Sequence, residues 1–501
     1  MKSFGSYKKL IIAAVIVSGV VFCTGNAIAA DQDLFDIYSL EIEGTIYGYV
    51  TGDFNGDKAN DIALIYSTPT DPNTRYIGLY LQKRGGGFQV QSDHLKALPV
   101  GFYQINAADL DDNGMAEIIL IDGNGVLSID FSPAAGFGNP IRIIRNKTIF
   151  SLPMYYGVLT SSFIFEMNGE PGNELIIPSE RGYLIYEKDD RGNYDILAQL
   201  NVPVFCNNSN KNLREFNKSQ NFHININLPE IYVLDGNLDL RPDIYFLWNK
   251  KLSTFIQDST GNFPQEPDVE FDFFPIAGEN HFCQSRLFDF NGDKRPDLVA
   301  TATSGGISNT ETMVQCHISD NSGKIRAIPS RTITLSDSHC NLFVDDFNGD
   351  NIADLVLPAV ELGTVATIQM LLMKSADLHL LIYPFEGGLP TEEPTKRAKY
   401  DFNFNFDESL PTSEIYMEWS GDYNGDNIPD LVYLDGTGKV LFYWGKKDNY
   451  LSNKFDIQIS LDRVSEVYPA RLSQNAFSDL IVMHNLSGNL DRITVLRNKN
   501  K

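Results

Sequence analysis

The feature that most limits what this chain can fold into is a short acidic loop, repeated along its length. The clearest copy is Asp346-Phe347-Asn348-Gly349-Asp350, followed by Asp354 and the apolar run Leu355-Val356-Leu357. Oxygen-bearing side chains at the first, third, fifth and ninth positions converge on one point only if a tight turn closes between them, and a glycine at the fourth position supplies that turn. Oxygens crowded in this way repel one another unless a cation sits among them. Calcium, which takes six to eight oxygens at about 2.3–2.6 Å in flexible geometry, is the natural guest.

Copies of the loop begin at 53, 109, 166, 235, 289, 346, 422 and 471, at intervals of 49 to 76 residues. Six of them carry an acidic ligand set: Asp53, Asn55, Asp57 and Asp61; Asp109, Asp111, Asn113 and Glu117; Asp235, Asn237, Asp239 and Asp243; Asp289, Asn291, Asp293 and Asp297; Asp346, Asn348, Asp350 and Asp354; Asp422, Asn424, Asp426 and Asp430. In the second copy the glycine has moved to 114. The third copy, Glu166, Asn168, Glu170 and Glu174, has the longer Glu in place of every Asp and reads as a weaker site. The eighth aligns at Arg471, Ser473, Asn475 and Asp479, and a guanidinium at its first position excludes a cation.

Each loop sits between apolar stretches, as Ile46 to Thr51 before the first copy and Asp297-Leu298-Val299-Ala300 at the end of the fifth. A third run follows a polar turn, as at Tyr76 to Leu81 or Val365 to Leu372, and a fourth often follows a Gly-aromatic turn such as Gly87-Phe88, Gly136-Phe137 or Gly261-Asn262-Phe263. Short β-branched and aromatic runs separated by Gly, Asn and Asp are antiparallel strands, and no segment carries a long helical period. A unit of about 50–60 residues with four strands is a propeller blade. The last unit stops after its third strand, whereas Asp36 to Glu43 precedes the first unit with nothing before it. The expectation is therefore an all-β, eight-bladed β-propeller of four-stranded antiparallel blades, closed by the N-terminal strand pairing near Ile493 to Leu496. Seven blades is the alternative if the last unit is not a full one. Two insertions break the period, one from about Cys206 to Phe222 between blades three and four, the other from about Ser375 to Lys399 within blade six.

Lys2, Lys8 and Lys9, the apolar run Leu10 to Val21 and the small-residue site Ala27-Ile28-Ala29 read as a signal peptide over residues 1–29, leaving 30–501 as one propeller domain. This makes the protein exported, periplasmic or secreted, with no transmembrane segment after cleavage. Removal of three Lys turns the formal charge from −25 to −28, which argues against nucleic acid and anionic membrane as partners. Cys206, Cys283, Cys316 and Cys340 remain in the mature chain and allow two disulfides in three connectivities, none of which is favoured.

The D-x-N-G-D-x-x-x-D-L motifs, their spacing and the Gly-aromatic turns resemble the FG-GAP/VCBS repeat family, which includes the α-subunit propeller of integrins and many bacterial exported proteins. The resemblance covers nearly all of the mature chain. It implies calcium held between the first and second strands of a blade, and ligands often met on the opposite face. The seven His residues are scattered, and there is no HExxH, G-x-S-x-G or P-loop. His281 and His339 precede inner strands on neighbouring blades, where a base or a packed strand residue are both open readings. Trp248, Trp419 and Trp444 are candidates for stacking on a sugar. No catalytic residue is assigned. The first functional reading is a non-enzymatic, calcium-binding propeller that takes a protein or glycan ligand through its loops, as an adhesion or scaffold module. The second is a carbohydrate-active enzyme such as a polysaccharide lyase on a calcium-containing propeller.

Overall fold

Each unit folds into a four-stranded antiparallel sheet, and eight such sheets are arranged as the blades of a ring. The computed structural model describes residues 34–150, 158–167, 174–189, 191–203, 205–208, 224–248, 250–274, 282–305, 310–361, 375–403, 416–435, 438–452, 454–472, 475–484 and 490–500. Among these there is no helix, and so none long and apolar enough to cross a membrane. Blade one is typical: Thr45–Gly52 lies innermost, followed outward by Asp61–Thr68, Asp71–Tyr80 and His94–Ala97.

The second strand of a blade is apolar at consecutive positions because both of its faces are buried. In Asp61–Thr68, Ile62 and Leu64 pack towards blade eight, while Ala63 and Ile65 pack towards blade two. The same split recurs in Asp297–Ser304, where Leu298 and Ala300 join the cluster with blade four and Val299 the cluster with blade six. Among the described residues, one apolar cluster fills each of the eight junctions between neighbouring blades. Burying an Ile or Leu stabilises by roughly 1.5–3 kcal/mol, so these wedges hold the ring together.

The ring closes as the sequence implies. Phe35–Glu43 is the outer strand of blade eight, paired antiparallel with Leu490–Asn498 in a register that sets Ile37 opposite Leu496 and Leu40 opposite Ile493. Eight blades, not seven, therefore form the propeller, and the edge of Leu490–Asn498 is covered at the join.

Blade six corrects the expected position of the second insertion. Ser375–Glu386 and Lys396–Asn403 are the third and fourth strands of that blade, paired with each other and, through the former, with Asp354–Glu361. The alternation is that of a doubly buried strand: Leu378, Leu380 and Ile382 face the junction with blade seven, Leu381, Tyr383 and Phe385 the junction with blade five. The run Val365 to Leu372, read above as the third strand, lies outside the described residues. The first insertion opens as a two-stranded ribbon, Phe205–Asn208 paired with Ile224–Asn227, and residues 209–223 lie outside the described set.

Candidate metal centres

All six acidic loops share one backbone course. Their fourth and sixth residues both have positive φ: Gly56 and Lys58, Asp112 and Gly114, Leu238 and Leu240, Gly292 and Lys294, Gly349 and Asn351, Gly425 and Asn427. This explains the displaced glycine of the second copy. Gly114 occupies the sixth position, which is left-handed in every loop, and Asp112 takes the fourth, a conformation Asp tolerates better than most residues.

Hydrogen bonds within the loop turn the side chains inward. The N–H of the sixth residue donates to Oδ2 of the first Asp at 2.6–2.9 Å in all six. The third residue accepts from the N–H of the fifth, and the fifth from that of the seventh, as with Asn348 and Asp350 (2.9 Å) and Asp350 and Ile352 (2.8 Å). Such Asx-type turns aim oxygens into the loop, and in loops one and seven the third-position Asn Nδ2 also faces the ninth carboxylate, at 3.3–3.4 Å. In the second loop, carboxylate oxygens of Asp109, Asp111 and Glu117 all lie within 4.8 Å of one another. In loops four and five an arginine at the seventh position folds back on the fifth carboxylate, Arg241 on Asp239 and Arg295 on Asp293 at 3.5 Å.

The ninth residue does something else, for which no sequence signal prepared us. It is buried at the start of the second strand, and one oxygen accepts the N–H of the loop's second residue: Asp61 from Phe54, Glu117 from Leu110, Glu174 from Met167, Asp243 from Gly236, Asp297 from Phe290, Asp430 from Tyr423. In loops one, four, five and seven, the other oxygen accepts an N–H from the residue just after or shortly beyond the third strand, at Gln82, Gln257, Ser319 and Gly445. The ninth side chain thus ties the loop to the chain leaving the third strand of its own blade. Burial pushes Asp61, Glu117, Asp297, Asp354 and Asp430 up to about 7, Asp243 up to about 6, and raises Glu174.

The eighth loop keeps this tie. Asp479 accepts from Leu472 at 2.9 Å and Asn498 at 2.7 Å, although Arg471 stands exposed at the first position and Asn475 donates to Asn500 O instead of turning inward. Its carbonyls are taken up by blade one, through Asn60 Nδ2 to Arg471 O and Gln82 Nε2 to Leu472 O. In the third loop Glu166 is exposed, and Asn168 and Glu170 lie outside the described residues.

The sixth loop differs. Tyr450 of blade seven donates to Asp354 Oδ1 at 3.2 Å and meets Asn348 Nδ2 at 3.4 Å, in addition to the Phe347 N–H that Asp354 accepts. Loops five and six flank a cleft of about 580 Å³, lined by Asp289, Asn291 and Asp346 and floored by Phe290 and Phe385, whose rings stack at 5.0 Å.

The other candidates are mostly packing residues. Trp419 is 2% exposed, donates to Pro429 O and packs against Phe347, so it has no face for a sugar. Trp248 and Trp444 are half-buried. His339 is half-buried in an inner strand, with burial lowering its pKa, and His281 lies outside the described residues. Cys283, Cys316 and Cys340 are free thiols, the last two packed in the same cluster between blades five and six. The Cys206 side chain is outside the described set.

Residues 289–357, from the fifth loop to the second strand of blade six, match the family model for the FG-GAP-like repeat. A search of curated proteins finds no match. Among solved structures, the chain is similar to an Agrocybe aegerita lectin that recognises non-reducing terminal N-acetylglucosamine (13% identity, 73% of this chain and 86% of that one, TM-score 0.37). It is also similar to the Vibrio cholerae biofilm matrix protein Bap1 (11%, 94% and 89%, TM-score 0.40) and to the Dos1 propeller (10%, 93% and 95%, TM-score 0.41). Likeness at this level says nothing about what the present chain binds. The repeat match and the eight closed blades together identify the chain as an eight-bladed β-propeller carrying an FG-GAP-like repeat.

Proposed function

We propose that this is an exported, non-enzymatic binding propeller, stiffened by calcium in its acidic loops and meeting a protein or glycan ligand through surface loops. The observation that carries the calcium reading is the second loop, where carboxylate oxygens of Asp109, Asp111 and Glu117 all lie within 4.8 Å of one another. Carboxylates this close repel one another, and a hard cation among them would offset that repulsion. The residues fit such an ion: every first, third, fifth and ninth side chain offers an oxygen, and the backbone course that presents them recurs in six copies. The first, third, fifth and ninth side chains would hold it with the seventh carbonyl, and the ion would supply charge neutralisation and stiffness to one hairpin. The basic start, apolar run and Ala27-Ile28-Ala29 support export.

The test is to titrate calcium into calcium-stripped protein and follow melting and bound metal together. Binding to the folded state alone stabilises by about 2.7 kcal/mol per site at a hundredfold excess over Kd. The expected result is a melting temperature that climbs with calcium and several ions bound per chain. An unresponsive melting curve with fewer than two ions bound would reduce the loops to ordinary turns.

A further inference from the structure

Blade two carries a cationic pocket on the face opposite its acidic loop. It lies where the turn between the second and third strands, Glu117–Asp122 and Gly125–Ile129, meets the end of the outer strand, Ile141–Arg145. The outer strand is bulged: Arg142 sits opposite Leu127 and Arg145 opposite Gly125, with the register broken between Arg142 and Ile144. In a regular strand, residues three apart point to opposite faces. Here their partners are two apart, so the bulge brings Arg142 and Arg145 to one face and sends Ile144 into the core, where it is 3% exposed. Arg142 is locked by a two-pronged ion pair with Asp122, at 2.7 and 2.5 Å. Asn146 is fixed by its N–H to Asn124 O and by Nδ2 to the Tyr186 hydroxyl at 2.7 Å.

Asn124, Arg142, Arg145, Asn146 and Lys147 line a pocket of about 420 Å³. The lining holds three cations and two amides, with neither a carboxylate nor an apolar side chain. Asp122 neutralises Arg142, whereas Arg145 and Lys147 are exposed and have no ion-pair partner among the described residues. On a chain of net charge −25, two cations without an ion-pair partner among the described residues, one ending the bulged strand and one two residues beyond it, form a local reversal of sign.

From this we propose that the pocket binds a single anionic sugar residue, one carrying a carboxylate or sulfate, as the recognised end of an acidic polysaccharide. The guanidinium fork of Arg145 and the ammonium of Lys147 would meet the anionic group, and the amides of Asn124 and Asn146 the hydroxyls. The volume holds one sugar ring with room for water. An acidic peptide fits less well, because peptide recognition draws on apolar anchors that this lining lacks. The inference rests on the binding-propeller reading above and narrows its ligand.

The experiment titrates the calcium-loaded full-length mature chain with a glucuronate-containing disaccharide, a sulfated disaccharide, their neutral counterpart and a short Glu-rich peptide. One of the two anionic sugars is expected to bind about tenfold or more tighter than the neutral one, and which of them does so identifies the group. Binding should weaken as salt rises, since the cations are exposed. The double variant R145Q/K147Q should lose about tenfold or more, the consequence of removing two charge-assisted contacts, with unchanged melting and unchanged calcium response. Equal affinity for neutral and anionic sugars, an unaffected double variant, or tighter binding of the peptide would each overturn the proposal. Binding of a neutral glycan or a protein that the double variant retains would overturn this site while leaving the broader reading intact.

Discussion

Replacing Asp479 with Ala separates the carboxylate tie from any cation. Asp479 is fully buried and accepts from the N–H groups of Leu472 at 2.9 Å and Asn498 at 2.7 Å. Both donors belong to residues that are themselves 0% exposed, so water cannot replace the lost acceptor. Each stranded N–H costs about 1–3 kcal/mol, and the pair about 4 kcal/mol. That is a large share of a folding free energy of about 5–15 kcal/mol. On the proposal that Arg471 keeps a cation out of this loop, the loss should be the same with and without calcium. Asp297→Ala strands Phe290 and Ser319 N–H in the same way, but it also removes a proposed ligand. Its loss should therefore grow in excess calcium, by about 2.7 kcal/mol at a hundredfold excess over Kd. Urea unfolding of both variants and the unaltered protein, in calcium-stripped buffer and in excess calcium, reads the two terms apart. Asp479→Asn, which keeps one acceptor oxygen, should recover about half of the loss. An Asp479→Ala protein within about 0.5 kcal/mol of the parent, or one whose loss depends on calcium as that of Asp297→Ala does, would refute the division of labour.

The raised ninth-position carboxylates set a pH dependence in the calcium-free protein. Their folded values of about 6–7 lie above the ordinary carboxylate range, so between the two the native state holds more protons, and their contribution is full below about pH 4 and lost as pH rises through 7. Melting of stripped protein should fall from pH 5 to pH 8, and calcium should reverse the slope; a flat or rising profile without calcium contradicts this account. Deleting residues 31–43 removes the outer strand of blade eight, uncovers the edge of Leu490–Asn498 and empties the places of Leu40 and Ile42, both 5% exposed or less. Light scattering should then show association, whereas a monomer with unchanged melting would speak against closure by this strand.

Much of the architecture is local and therefore readable in one dimension. The acidic loop needs its left-handed turn and its converging oxygens within nine residues, so each copy announces itself, and counting copies yields the blades. Buried second strands show as unbroken apolar runs because both faces meet a neighbouring blade. The strand left over at the N-terminus, matched to the strand missing at the C-terminus, implied the closure. In blade six the same local reading failed, because Ser375–Glu386 is twice as long as a usual second or third strand and its start could not be told from a loop.

What the sequence determined by itself is the repeat: the ligand types at the first, third and fifth positions, the turn between them and the strands that follow. What only the tertiary structure decided is which groups those local devices meet. The ninth carboxylate looked like one more ligand, and its persistence as Asp479 beside Arg471 had no evident reason. The fold shows it tied to an N–H that lies 14 to 22 residues further on, a distance set by the length of each blade's second and third strands and so without a period to detect. Likewise, Arg142 and Arg145 are three apart in the chain and share a face only because one extra residue bulges between them. Backbone amides look alike in every sequence and a bulge has no letter of its own, so contacts that depend on them are fixed only when the strands have paired.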